Sequence, residues 1–240
     1  MAQKIKLHGF NNLTKSLSFN IYELCYAGTE KNKQDYIRHT SEQYNSKYLT
    51  KILTDVAHSI EATVLNISGY DYDPHGASAV LLIAEEPETL VAHLDKSHIT
   101  VHTYPEYHPN SSIATFRVDI DVATCGEISP LSTLDYLIGS FKSHIITLDY
   151  KVRGFTRTIT GEKLYIDHRI NSIQDYIHSH TLQQYHTLDI NAYQSNIFHT
   201  KMIKKDIASH ISDREIPGLQ KTEVIKEIYE IYNGANITEV

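Results

Sequence analysis

The sequence has no tryptophan, only two cysteines, no long apolar run and no excess of basic residues. Each absence removes a class of protein. No stretch approaches the roughly 18 consecutive apolar residues that a membrane-spanning helix needs, so no membrane partner is expected. The opening residues, MAQKIKLHGF, carry no apolar secretory segment, which leaves a cytoplasmic protein as the expectation. The 22 basic residues are outnumbered by 29 acidic ones, for a formal charge of -7. Nucleic-acid phosphates demand a basic surface, so no nucleic-acid partner is expected. Cys25 and Cys125 stand too far apart for a zinc knuckle and too few for a disulfide framework. Both are read as thiols. Seventeen tyrosines stand beside the missing tryptophan, and no function follows from them.

What remains is ordinary for a globular protein: 240 residues, 41% of them hydrophobic. That length suits one large domain or two small ones. SLSFNIYELCYA (16–27) alternates Leu17, Phe19 and Ile21 and predicts a strand. YLTKILTDVAHSI (48–60) puts Leu49, Ile52, Leu53, Val56, Ala57 and Ile60 on one helical face. EATVLNIS (61–68) predicts a strand, GYDYDPHG (69–76) a loop and ASAVLLIAE (77–85) a buried strand. ATFRVDIDVATCG (114–126) alternates Phe116, Val118, Ile120 and Val122 against Arg117, Asp119 and Asp121. ISPLSTLDYLIGSFKSH (128–144) predicts a helix with Ser129 as N-cap and Pro130 in its first turn. IITLDYKVRGFTR (145–157) predicts another strand. Beyond 157 the pattern weakens until a closing helix, TEVIKEIYEIY (222–232). The fold class expected is α+β: antiparallel sheet with helices on its outer faces. Residues 158–240 read as an extension of a single domain spanning 1–240.

The chemistry gathers in VAHLDKSHITVHTYPEYH (91–108). Ile99, Val101 and Thr103 alternate with His98, Thr100 and His102, so one face of a strand is core and the other carries histidines. A strand built only to pack needs neither these histidines nor the Lys96-Ser97 step. A serine nucleophile requires a base. The G-x-S-x-G elbow of hydrolases is missing, although HGASA resembles it faintly, and a Ser-His-Asp triad stays open. A different use fits the strand better. Ser97 attacks the carbonyl of Lys96 and converts the amide to an ester. A base removes the Ser97 α-proton and the ester is eliminated. The resulting dehydroalanine hydrolyses to a pyruvoyl group with loss of ammonia. That ketone condenses with an amine as a Schiff base and acts as an electron sink.

The segments KLHGFNNLTKSL, DYDPHGAS, HLDKSHITVHTYPE, TCGEISP and YKVRGFTR, with INSIQ and NIFHTKM further on, resemble S-adenosylmethionine decarboxylase in its longer bacterial form. The resemblance runs from about residue 4 to the C-terminus and is densest over 74–157. It departs between AEEP (84–87) and ETLVAHLDKSH (88–98), where the longer enzymes carry a further segment.

The resemblance implies a sandwich in which sheets pack face to face. It implies cleavage between Lys96 and Ser97, giving a β chain of 1–96 and an α chain of 97–240, and an oligomer of the cleaved protomers. The cofactor is then pyruvate, made from Ser97, with Mg2+ as an activator, though the sequence offers no convincing Mg2+ site and no metal ligand is assigned. His102 takes the role of processing histidine and Ser78 that of a second processing serine. Cys125 takes that of the acid that protonates the substrate carbon after CO2 leaves. Glu106 grips the ribose hydroxyls, and Tyr72 faces the adenine. His102 lies five residues from Ser97, an odd offset that puts the two on opposite faces of a regular strand. Cys25, His178, His180 and His186 are read as structural or surface residues. The substrate expected is S-adenosylmethionine, for spermidine synthesis. Ornithine or arginine is the alternative substrate, and an unprocessed regulatory homologue the alternative of another class.

Overall fold

The computed structural model describes residues 6–9, 11–84, 97–211 and 218–237. Lys96, on one side of the expected cleavage, lies outside them, as does nearly all of the shortened stretch before it.

Eight antiparallel strands make one sheet. In chain order they are β1 (Thr14–Tyr26), β2 (Thr63–Asp71), β3 (Ala77–Ala84), β4 (His98–Tyr107), β5 (Ile113–Cys125), β6 (Ile145–Arg153), β9 (Tyr185–Asp189) and β10 (Ile197–Lys204). A two-residue pair, β7 (Thr156–Arg157) and β8 (Lys163–Leu164), stands apart. The spatial order is β2-β3-β4-β5-β1-β6-β10-β9. Strand β1 pairs along its whole length with β5, from Thr14 opposite Cys125 to Tyr26 opposite Ile113.

The period of two decides the two faces. Leu17, Phe19 and Ile21 of β1 align with Val118, Ile120 and Val122 of β5, and all six are buried. They pack on α2 (Ser46–Ser59), whose Leu49, Ile52, Leu53 and Val56 are buried in the same cluster. Each such side chain contributes about 1.5–3 kcal/mol through burial. The Asn45 side chain caps α2 by accepting from the Tyr48 N–H at 3.0 Å. The opposite face carries Ser16, Ser18 and Asn20 of β1, Asp119 and Asp121 of β5, and His98, Thr100, His102 and Tyr104 of β4. The C-terminal helix (Gly218–Asn233) covers that face at one end, where Val224 and Ile228 meet Leu24, Ile113, Ile145 and Ile203. Elsewhere no other described residue covers it, with Val80 39%, Leu82 38% and Tyr104 42% exposed.

The α+β class stands. The face-to-face sheets that the resemblance implies are not made within the described residues, whose one large sheet packs on helices. Helix α1 (Glu30–Gln43) escaped the periodicity reading because its buried residues are Lys33, Ile37 and Thr40. The buried Lys33 ammonium donates to the carbonyls of His108 and Pro109 at 2.8 and 3.0 Å. The helix expected from 128 begins as a 3-10 turn, Pro130–Thr133, before α3 (Leu134–Ser140). Ser129 sits at its N-cap position but makes no capping hydrogen bond. The strand expected at 61–68 runs on to Asp71, into the expected loop. In the last third, β10 pairs with β6, from Ile197 opposite Lys151 to Ile203 opposite Ile145, and so joins the central sheet.

Candidate active site

Ser97 precedes β4 by one residue and Cys125 ends β5. Their side chains meet, Oγ to Sγ at 3.1 Å, and the residues are 4% and 6% exposed. The Ser97 carbonyl accepts from the Ile83 N–H at 3.2 Å, which ties the serine to β3. A hydroxyl and a thiol therefore share a dry spot at one end of the sheet.

Behind Cys125 the chain turns at Gly126, whose φ of +71° lies in the left-handed region that glycine enters without steric cost. The Gly126 carbonyl accepts from Asn11 Nδ2 at 3.1 Å and from Lys15 Nζ at 3.0 Å. Lys15 also pairs with Asp167 at 2.8 Å, and Asn11 donates to the same carboxylate at 2.7 Å. The other Asp167 oxygen meets His168 Nδ1 at 2.7 Å, and His168 Nε2 meets the Tyr150 hydroxyl at 3.1 Å. Burial by itself would raise the Asp167 pKa. Hydrogen bonds from His168 and Lys15, the Lys15 charge and Asn11 instead hold it well below the usual carboxylate range. Burial raises the Tyr150 hydroxyl, with the Asp167 charge adding to the effect.

None of Asn11, Lys15, Asp167, His168 and Tyr150 was assigned a role from the sequence. One signal was available. Lys15 occupies the buried parity of β1 beside Leu17 and Phe19, and a charge at a core position of a strand demands a partner. Its partner, Asp167, lies 152 positions along the chain and could not be read locally.

The other expected site residues gather elsewhere, on the open face. His102 lies opposite Ser78 of β3 and opposite Asp119 of β5. Its Nδ1 shares a hydrogen bond of 3.1 Å with the Tyr72 hydroxyl. Tyr72 thus contacts the histidine, and its ring lies 5.8 Å from that of Tyr70, tilted by 51°. Glu106, exposed on the same face, accepts from Thr115 at 2.7 Å. The β4–β5 register is unbroken from His98 to Tyr107, so no bulge repairs the odd offset between Ser97 and His102. At 3.3 Å per residue His102 stands about 17 Å from Ser97 and Glu106 about 30 Å. The structure joins Ser97 to Cys125, and His102 to Ser78 and Tyr72, as two separate groups. Among the described residues no three His, Cys, Asp or Glu side chains gather as metal ligands, and no helix is long and apolar enough to cross a membrane.

A sequence profile of S-adenosylmethionine decarboxylase matches residues 35–154. The S-adenosylmethionine decarboxylase proenzyme of Clostridium beijerinckii is 56% identical, covering 99% of this chain and 98% of that protein. The chain belongs to the S-adenosylmethionine decarboxylase family. The proenzyme of the same description from Hahella chejuensis is 53% identical, covering 99% of both chains. Among solved structures, the adenosylmethionine decarboxylase from Aquifex aeolicus aligns with 59% of this chain and 89% of its own, at 24% identity and a TM-score of 0.32. The Clostridium alignment spans 267 positions against 240 residues here. That relative therefore carries at least 27 positions this chain lacks.

Proposed function

We propose that this chain is a self-processing, pyruvoyl-dependent decarboxylase. It cuts itself between Lys96 and Ser97 and releases CO2 from S-adenosylmethionine, giving the aminopropyl donor for spermidine synthesis in the cytoplasm. The observation that carries this reading is the buried Ser97–Cys125 contact in a chain of this family. A ketone formed at Ser97 supplies an electron sink for the electrons that CO2 leaves behind. The residues present fit such a group: its parent hydroxyl sits 3.1 Å from a thiol able to donate a proton. Cys125, 6% exposed, delivers that proton at a site from which water is largely excluded. The Gly126 carbonyl, clamped by Asn11 and Lys15, keeps the thiol aimed at Ser97. Mg2+ enters as an activator from solution.

The same geometry supports a homo-oligomer in which a second copy completes each site. Proton transfer requires contact near 3 Å, whereas His102 lies about 17 Å along β4 from Ser97 of its own chain. The 30 Å to Glu106 exceeds the length of one S-adenosylmethionine molecule. The open polar face that carries Ser78, His102, Glu106 and Tyr72 would meet the Ser97–Cys125 end of the partner. His102 with Ser78 then serves processing, Glu106 binds the ribose and Tyr72 faces the adenine, all across the interface.

The experiment has two arms. Mass spectrometry of the purified protein should reveal two chains, 1–96 and 97–240, with CO2 released from S-adenosylmethionine but not from ornithine or arginine. An intact, active chain would exclude the pyruvoyl reading. Co-expression of Ser97→Ala and His102→Ala chains tests the shared site. Across an interface, the Ser97 of one chain meets the intact His102 of the other, so cleavage returns in the mixture. No cleavage in mixed oligomers would mean that each chain processes itself alone.

A further inference from the structure

A cavity of about 460 Å³ lies at the far end of the sheet. Asp135, Lys142, His144, His180, Lys204 and His210 supply its charged and titratable lining. It is remote from the site above. His144 is bonded to Leu24, ten residues along β1 from Thr14, the strand partner of Cys125. Ten residues of strand span about 33 Å.

His144 is 5% exposed, and its Nδ1 accepts the Leu24 N–H at 2.9 Å. A ring nitrogen that accepts carries no proton, so the ring proton sits on Nε2. Burial, and after it the charges of Lys204, His210 and Lys142, lowers the His144 pKa to about 4. At neutral pH the ring is therefore an uncharged, fixed N–H donor. Among the described residues that donor has no acceptor.

The charges around it are unbalanced. Lys204 makes no ion pair among the described residues. Lys142 reaches Glu23 at a loose 3.6 Å, with its own side chain 61% exposed. Asp135, the acid in the lining, is already engaged. One oxygen accepts from Thr181 at 2.7 Å, and the other accepts from the His178 N–H at 2.9 Å and lies 3.1 Å from His178 Nδ1. Two ammonium groups and the neutral Nε2–H donor of His144 thus line one cavity, and of the two lysines only Lys142 has an acid partner among the described residues, Glu23.

The geometry points to a binding site for a phosphate group, free or as a small phosphomonoester, held by Lys204, Lys142 and His144 Nε2–H. Lysine acts on phosphate as a point charge, and two ammonium groups match a dianion better than a single carboxylate. The volume falls within the range of about 300–1,000 Å³ typical of small-molecule sites, larger than a lone ion requires.

The test uses the full-length processed protein at pH 7.5 and low salt, with calorimetric titrations of inorganic phosphate, ribose 5-phosphate and ribose. Phosphate and ribose 5-phosphate should bind and ribose should not. Tighter binding of ribose 5-phosphate identifies a phosphomonoester site, and equal binding a free-phosphate site. Lys204→Gln should weaken either anion about tenfold and Lys142→Gln less. Decarboxylation should be unchanged in both variants, which also shows that they fold. Phosphate should shift the His144 Nε2–H resonance in NMR spectra. The inference is overturned if neither anion binds the native protein, if Lys204→Gln binds as tightly as native, or if the His144 resonance does not move.

Discussion

Replacing Asp167 with asparagine separates the support of the site from the site itself. In the native protein the Lys15 side chain is 2% exposed and that of Asp167 12%. Breaking a buried pair by removing one partner costs about 3–5 kcal/mol, because the remaining charge stays buried without compensation. Asparagine keeps one acceptor oxygen and nearly the same volume, so the lower end, about 3 kcal/mol, is expected. For a chain of this size each kcal/mol shifts Tm by about 2–4 °C. Asp167→Asn should therefore melt about 6–12 °C lower. It should also lose turnover. Lys15 and Asn11 hold the Gly126 carbonyl, and a reacting group displaced by about 1 Å can cost about 100-fold. The loss should fall on kcat and spare KM, since the role proposed for the thiol is at the reacting carbon and not in holding the substrate. Paired with Lys15→Met, Asp167→Leu should recover most of the stability, because an apolar pair of similar volume replaces two buried charges. Turnover should stay low, because Gly126 has lost its lysine donor. The assays are thermal denaturation and CO2 release by the processed enzyme. An Asp167→Asn protein with native Tm and native kcat would refute the reasoning, and a double variant with native turnover would refute the positioning role.

Cys125→Ala should still allow some chain cleavage but reduce CO2 release by about 10²–10⁴, the usual loss for a positioned acid; if Cys25→Ala behaves this way instead, the assignment belongs to the other thiol. Glu106→Gln and Tyr72→Ala should each cost about 1–3 kcal/mol in kcat/KM, mainly through KM, with cleavage retained for Glu106→Gln; an unchanged KM in both would end the nucleoside assignment. The depressed His144 pKa of about 4 makes stability depend on pH. The unfolded chain, titrating near 6.5, binds the proton more readily, so this contribution is complete above pH 6.5. It is lost as pH falls toward 4, by about 3 kcal/mol at most. Urea unfolding from pH 8 to 4, with the His144 titration followed by NMR, checks it; a midpoint near 6.5 in the folded protein contradicts the buried neutral ring.

The strands β1, β4 and β5 were legible because a half-buried strand writes its two faces into successive residues; β3 was legible as a strand but expected to be buried, whereas its apolar Val80 and Leu82 face outward. Helix α2 was legible because its buried stripe is wholly apolar. Helix α1 was not, because Lys33 and Thr40 take part in its buried stripe. Strands β9 and β10 were obscured by their polar outer residues, such as His186, His199 and Lys201. The sequence by itself offered Ser97, His102 and Cys125 as the candidate chemical residues, through the resemblance of the local motifs around them. The tertiary structure alone decided which of them touch. Register placed Cys125 against Ser97 and carried His102 onto the other face, beside Ser78. Folding across more than 150 positions brought Asp167 to Lys15 behind the thiol. Distances of that kind depend on strand order and register, which long-range packing sets and no window of neighbouring residues contains.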